Sequence, residues 1–143
     1  MRPDHLIAAG ALRGPERRVI DCLRAFASGP EAQEAFWNTL CANIGAARAR
    51  GCLMAFEVMQ DILRRHGWHP PMVLPPTAEG FSEDEMALAR FTLAATEQRR
   101  EVALEEASFL VTPLGLLPLL DAAARFGLPL LCEDCKARLY HGA

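Results

Sequence analysis

Lysine occurs once in this chain of 143 residues, at position 136, although Lys and Arg together number 15. Nearly all positive charge is therefore arginine. Alanine and leucine are abundant as well, the bias a GC-rich coding sequence produces, so the arginines alone carry no message about nucleic acid. Neither sign of charge dominates: 18 acidic residues against 15 basic give a formal charge of −3. That balance speaks against a chain that coats polyanions or adheres to an anionic membrane. Serine is scarce too, at positions 28, 82 and 108, and two of the three suit a turn or a helix cap. With no G-x-S-x-G, P-loop or dinucleotide fingerprint, the usual signatures of an enzyme are missing. No uninterrupted apolar run approaches the ~20 residues that span a bilayer. The opening Met1-Arg-Pro-Asp-His5 lacks the apolar stretch and cleavage site of a secretory signal. The expectation is a soluble, cytoplasmic protein.

What is present is helical periodicity almost everywhere and strand alternation almost nowhere. It predicts an all-α, single-domain bundle of six or seven helices, with a proline-rich linker crossing between two halves, 1–66 and 81–143. A short helix is expected over Asp4 to Leu12. Pro15 opens the next, to about Ala27, with Val19, Cys22, Leu23 and Phe26 on one stripe. Pro30 opens another to about Asn43, with Phe36, Trp37, Leu40, Cys41 and Ile44 expected on its buried side. After Gly45, a long helix from Ala46 to about His66 carries Cys52, Phe56, Met59, Leu63 and His66 at intervals of four and three.

The linker spans Gly67 to Gly80, where four prolines in seven positions, 70–76, forbid a helix. Ser82-Glu-Asp-Glu85 then has the spacing of a capping box. A break is expected near Ala95, with Thr96 capping a sixth helix that runs to Val111. A final apolar helix is predicted over Leu114 to Phe126, with Pro118 in its first turn and Gly127 as its C′ residue. The rest, 128–143, is expected to hold only a short helical turn.

Five cysteines, at 22, 41, 52, 132 and 135, are an odd number in a chain large enough to fold on its core, so reduced thiols are expected. Cys132-x-x-Cys135 is the most chemical of the motifs. Two thiols so spaced can hold one zinc ion, provided two further ligands come from His141, His66 or His69. A redox dithiol is disfavoured by the intervening Glu133 and Asp134 and by the lack of a βαβ pattern. Covalent haem is excluded because Lys136 stands where histidine is required. Glu97, Glu101 and Glu105 recur every four residues, with Glu106 beside them, but the Glu-x-x-His pairs of a carboxylate-bridged metal site are absent. A solvated face with local ion pairs accounts for them. Arg17 and Arg18, or Arg48 and Arg50, lie at helix starts where a DNA-reading helix would place contacts, yet no basic, polar helix follows a tight glycine turn.

The remaining clue is apolar excess. Leu114-Gly-Leu-Leu-Pro-Leu-Leu120 and Leu128-Pro-Leu-Leu131 hold more aliphatic surface than one helix face can hide. The expected function is non-enzymatic: association through helices, as a homodimer or with a helical partner, with Leu114, Leu117, Leu120 and Leu131 at the interface. The alternatives are zinc binding through the cysteine pair and DNA-binding regulation.

Overall fold

A computed structural model describes residues 12–140, with the side chains of 136–140 left aside. The chain is 80% helical, with six helices and no strand among the described residues. They are α1 (Gly14–Ser28), α2 (Pro30–Ile44), α3 (Ala46–His66), α4 (Glu83–Thr96), α5 (Arg100–Leu110) and α6 (Leu116–Tyr140). The helix expected over Asp4 to Leu12 falls almost wholly outside the described residues. The starts follow local chemistry. Pro15 and Pro30 lie in the first turns of α1 and α2, where no backbone donor is lost. Ser82 caps α4 as its spacing predicts: its Oγ accepts from Glu85 N at 3.1 Å, and Glu85 Oε1 accepts from Ser82 N at 2.9 Å.

Three expectations need correction. Thr96 does not cap α5; its hydroxyl donates back to the Thr92 carbonyl at 2.8 Å, inside α4. The break comes at 97–99, where Gln98 takes a left-handed φ of 59° and the Arg99 N–H reaches the Ala94 carbonyl at 2.9 Å. Thirdly, Gly127 does not end the last helix, which runs on through Pro129 to Tyr140. Proline there forgoes one backbone hydrogen bond. The helix holds because Leu119, Ala122, Ala123, Phe126 and Leu130 form one buried stripe on both sides of the proline.

This continuity joins two apolar runs into one segment, 113–135, with mean hydropathy 1.5, long and apolar enough to cross a membrane by length and composition. Its packing is that of a central helix: α1, α2, α3, α4 and α5 all touch α6, and α1 also packs on α4. The core gathers Phe56, Phe91, Phe126, Met59, Met86, Leu40 and Leu119. At the α4–α6 crossing Gly127 permits the close approach, since a Cβ there would collide with the Thr96 hydroxyl and lie 3.2 Å from Thr92 Cγ2. Gly127→Ala is expected to destabilise the fold by about 1–3 kcal/mol through overpacking. Urea unfolding checks it, and the loss should shrink in a Thr96→Ala background; an unchanged midpoint would show that the helices part freely.

The linker is fastened, not free. Met72 N donates to Asp84 Oδ2 at 2.7 Å, Leu74 N to Glu85 Oε2 at 3.1 Å, and Ser82 Oγ to the Met72 carbonyl at 2.6 Å. Arg24 from α1 completes the joint. Its guanidinium meets Glu85 at 2.8 and 2.9 Å and also donates to the Gly80 carbonyl at 2.7 Å and the Ala78 carbonyl at 3.3 Å. The other end is pinned by Trp68 N to the Leu110 carbonyl at 3.2 Å and by Thr112 N to the His66 carbonyl at 2.8 Å.

Candidate association surface

The sequence-derived metal candidates lie on different elements. Cys132 is half-buried and Cys135 exposed, both in mid-helix on α6, while His66 ends α3 and His69 lies exposed on the linker with Nδ1 3.1 Å from the Pro70 carbonyl oxygen. His141 lies outside the described residues. Among those described, no three His, Cys, Asp or Glu side chains gather to hold a metal ion. Leu114 and Leu117 are strongly exposed, at 80% and 58%. Leu120 and Leu131 are half-buried and packed against the core.

The polar groups that do converge are structural. Glu133, between the two cysteines, points inward and is 6% exposed. It accepts from Arg18 Nε at 2.8 Å and Asn43 Nδ2 at 2.7 Å, joining α6 to α1 and α2. Its position was open to a reading of α6 as one long helix, because 126, 130 and 133 continue the buried stripe at intervals of four and three. Arg18, a candidate DNA contact on sequence, is thus committed to Glu133 and Asp21, with its guanidinium 4.6 Å over the Phe36 ring. Nearby, burial pushes the Cys22 thiol well up and that of Cys52 to about 12, so neither is a ready nucleophile. No buried side-chain polar atom among the described residues lacks a partner. The acidic series is also split: Glu97 sits past the end of α4 and clasps Arg13 with two bonds of 3.0 Å, while Glu101 and Glu105 are exposed on α5.

The Arg13 hydrogen bond holds the Glu97 carboxyl below its ordinary value. A depressed acid stabilises above its unfolded pKa and loses that contribution as pH falls through the lower folded one. Glu97→Gln is therefore expected to lower stability slightly at pH 7, by under about 1 kcal/mol for so exposed a pair. The gap should close as the pH drops from about 4.3 downward, which parallel thermal melts would show.

Among the exposed surfaces is a ridge along the outer side of α6. Leu114 precedes it, and Leu117, Asp121, Arg125 and Leu128 are all exposed. Asp121 Oδ2 and Arg125 Nη2 pair at 2.9 Å, one turn apart, at its middle. A groove of about 490 Å³ runs along one side, between the ridge and the α4–α5 turn, lined by Ala95, Gln98, Arg100, Leu117, Leu120 and Ala124. A second groove, of about 270 Å³, separates the ridge from α3 and is lined by Gly51, Met54, Ala55 and Val58. Met54 and Val58 are themselves exposed apolar side chains, one turn apart on α3. Together they make a two-helix apolar face with one ion pair near its centre. The sequence pointed to Leu114 and Leu117 and placed Leu128 in the apolar excess without naming it at the interface; Met54 and Val58 it missed. Leu128 was assigned to a tail beyond the helix, and exposed positions on α3 carry no periodic signal of their own. No protein-family model matches the chain, and no significant match is found among curated proteins or solved structures.

Proposed function

We propose that this chain is a non-enzymatic association module, folded as one helical bundle, that acts by pairing with a second copy of itself through the α3–α6 face. The observation that carries the reading is the exposed apolar group of Met54 and Val58 on α3, Leu117 and Leu128 on α6, and Leu114 in the turn before α6. Apolar patches of this kind, centred on ridge and groove, suit helix-to-helix packing. The one-domain reading is supported by packing across the linker, since α4 contacts α1, and α6 contacts α1, α2 and α3. The tightly partnered interior supports a non-catalytic role, as buried acids and thiols are either bound by neighbours or inert.

Sedimentation equilibrium tests the function. The wild-type chain should dimerise at concentrations up to tens of micromolar. Leu117→Asp and Met54→Asp should each weaken the dimer at least tenfold. Val102→Asp, at an exposed apolar position on α5 that lines neither groove, should leave it intact. A wild-type monomer throughout that range refutes the proposal, and so does a dimer indifferent to Leu117→Asp.

A further inference from the structure

The Asp121–Arg125 pair sets the direction in which two copies can meet. It is the charged centre of an otherwise apolar ridge, and each side chain is largely open to solvent, at 65% and 73%. Two α6 helices packed in parallel would set Asp121 against Asp121 and Arg125 against Arg125 of the second copy. Packed antiparallel about a two-fold axis level with residue 123, each Asp121 faces an Arg125. The two charges lie about 3 Å either side of that level, at 1.5 Å rise per residue. The same register puts Pro118, five residues before 123, against Leu128, five residues after it. Leu117 falls beside them, so apolar groups flank the ion pairs on both ends. A closed two-fold contact needs such a self-complementary surface.

We infer that the dimer is antiparallel across α6, with reciprocal Asp121–Arg125 ion pairs between copies; this rests on the self-association proposed above. The pair within each helix opens, or shares its charges, so that each carboxylate is held by the guanidinium of the other copy. The flanking grooves receive the leucines of the opposing ridge, the larger taking Leu128 and the smaller framing Met54 and Val58. The central charges also favour a protein copy over a lipid surface, because a buried acid and base in hydrocarbon have no water and few partners.

Charge exchange tests the register. Asp121→Arg carries two positive groups at the centre and Arg125→Asp two negative ones, at exposed sites where circular dichroism should show unchanged helix content. Each single variant alone should dissociate at least tenfold more readily than wild type. An equimolar mixture of the two should form a heterodimer, and the double variant Asp121→Arg/Arg125→Asp should dimerise again. Singles that dimerise like wild type, or a mixture that does not pair, overturn the antiparallel register while leaving self-association standing. A wild-type chain that stays monomeric overturns both. Flotation with neutral phosphatidylcholine vesicles adds the remaining outcome: a monomer that floats with them replaces the dimer with a membrane contact.

Discussion

Glu85→Ala is expected to cost about 3–5 kcal/mol of folding stability, because it leaves Arg24 as an uncompensated charge at a buried site. The side chains of Arg24 and Glu85 are 7% and 0% exposed, and Glu85 also accepts from the Ser82 and Leu74 backbone N–H groups. One substitution therefore strips four donors of their acceptor: two on the guanidinium and two on the main chain. For a domain whose whole stability is on the order of 5–15 kcal/mol, that is about a fifth or more. Urea or thermal unfolding measures it. Arg24→Met should cost a similar amount. The pair replaced together, Arg24→Met/Glu85→Leu, should cost less than the two singles summed, by about 0.5–3 kcal/mol of coupling. A single-variant loss under about 1 kcal/mol would mean that water reaches the joint and solvates the survivor.

Phe126→Ala is the second large effect, expected at about 3–5 kcal/mol. The ring is fully buried and tilts 50° against Phe56 at 5.1 Å, and Phe56 in turn tilts 55° against Phe26 at 5.0 Å. This row of tilted rings binds α6 to α3 and α3 to α1, in a geometry that adds to the burial of area. The Phe126 carbonyl also accepts from the Cys52 thiol at 3.4 Å. Thermal denaturation would detect the loss. A change below about 1.5 kcal/mol would imply that neighbouring side chains refill the space, since the cost tracks the cavity left behind.

The helices were legible where local chemistry alone decides them. Pro15, Pro30, the capping box at Ser82 and the proline cluster at 70–76 mark boundaries that the structure reproduces within a residue or two. Legibility failed where a distant packing contact outweighs a local signal. Gly127 reads as a stop, but its missing side chain serves the approach of Thr96; Pro129 reads as a break, but Phe126 and Leu130 are buried on the same stripe. The candidate surface shows the same division. Leu114, Leu117 and Leu128 all fall in the apolar excess visible in the sequence, although reading Gly127 as a stop puts Leu128 beyond the helix that carries Leu117. Met54 and Val58 depend on which helix lies beside α3, and no local pattern encodes that. The zinc expectation turns on information of the same kind, namely how His66 at the end of α3 and His69 on the linker lie relative to Cys132 and Cys135 on α6.

The order of the helices along the chain bears on how the molecule is made. Every other described helix leans on α6, which is the last of the six to be synthesised. While a ribosome is still reading the codons before residue 116, the growing polypeptide holds five helical segments that can pack on one another, as α1 does on α2 and α4, but that lack the helix all five share. At about 5–20 residues per second, that interval lasts seconds. Native structure then forms late, after the final helix clears the exit tunnel, and a nascent chain arrested before that point should be cut by protease at sites the finished protein protects.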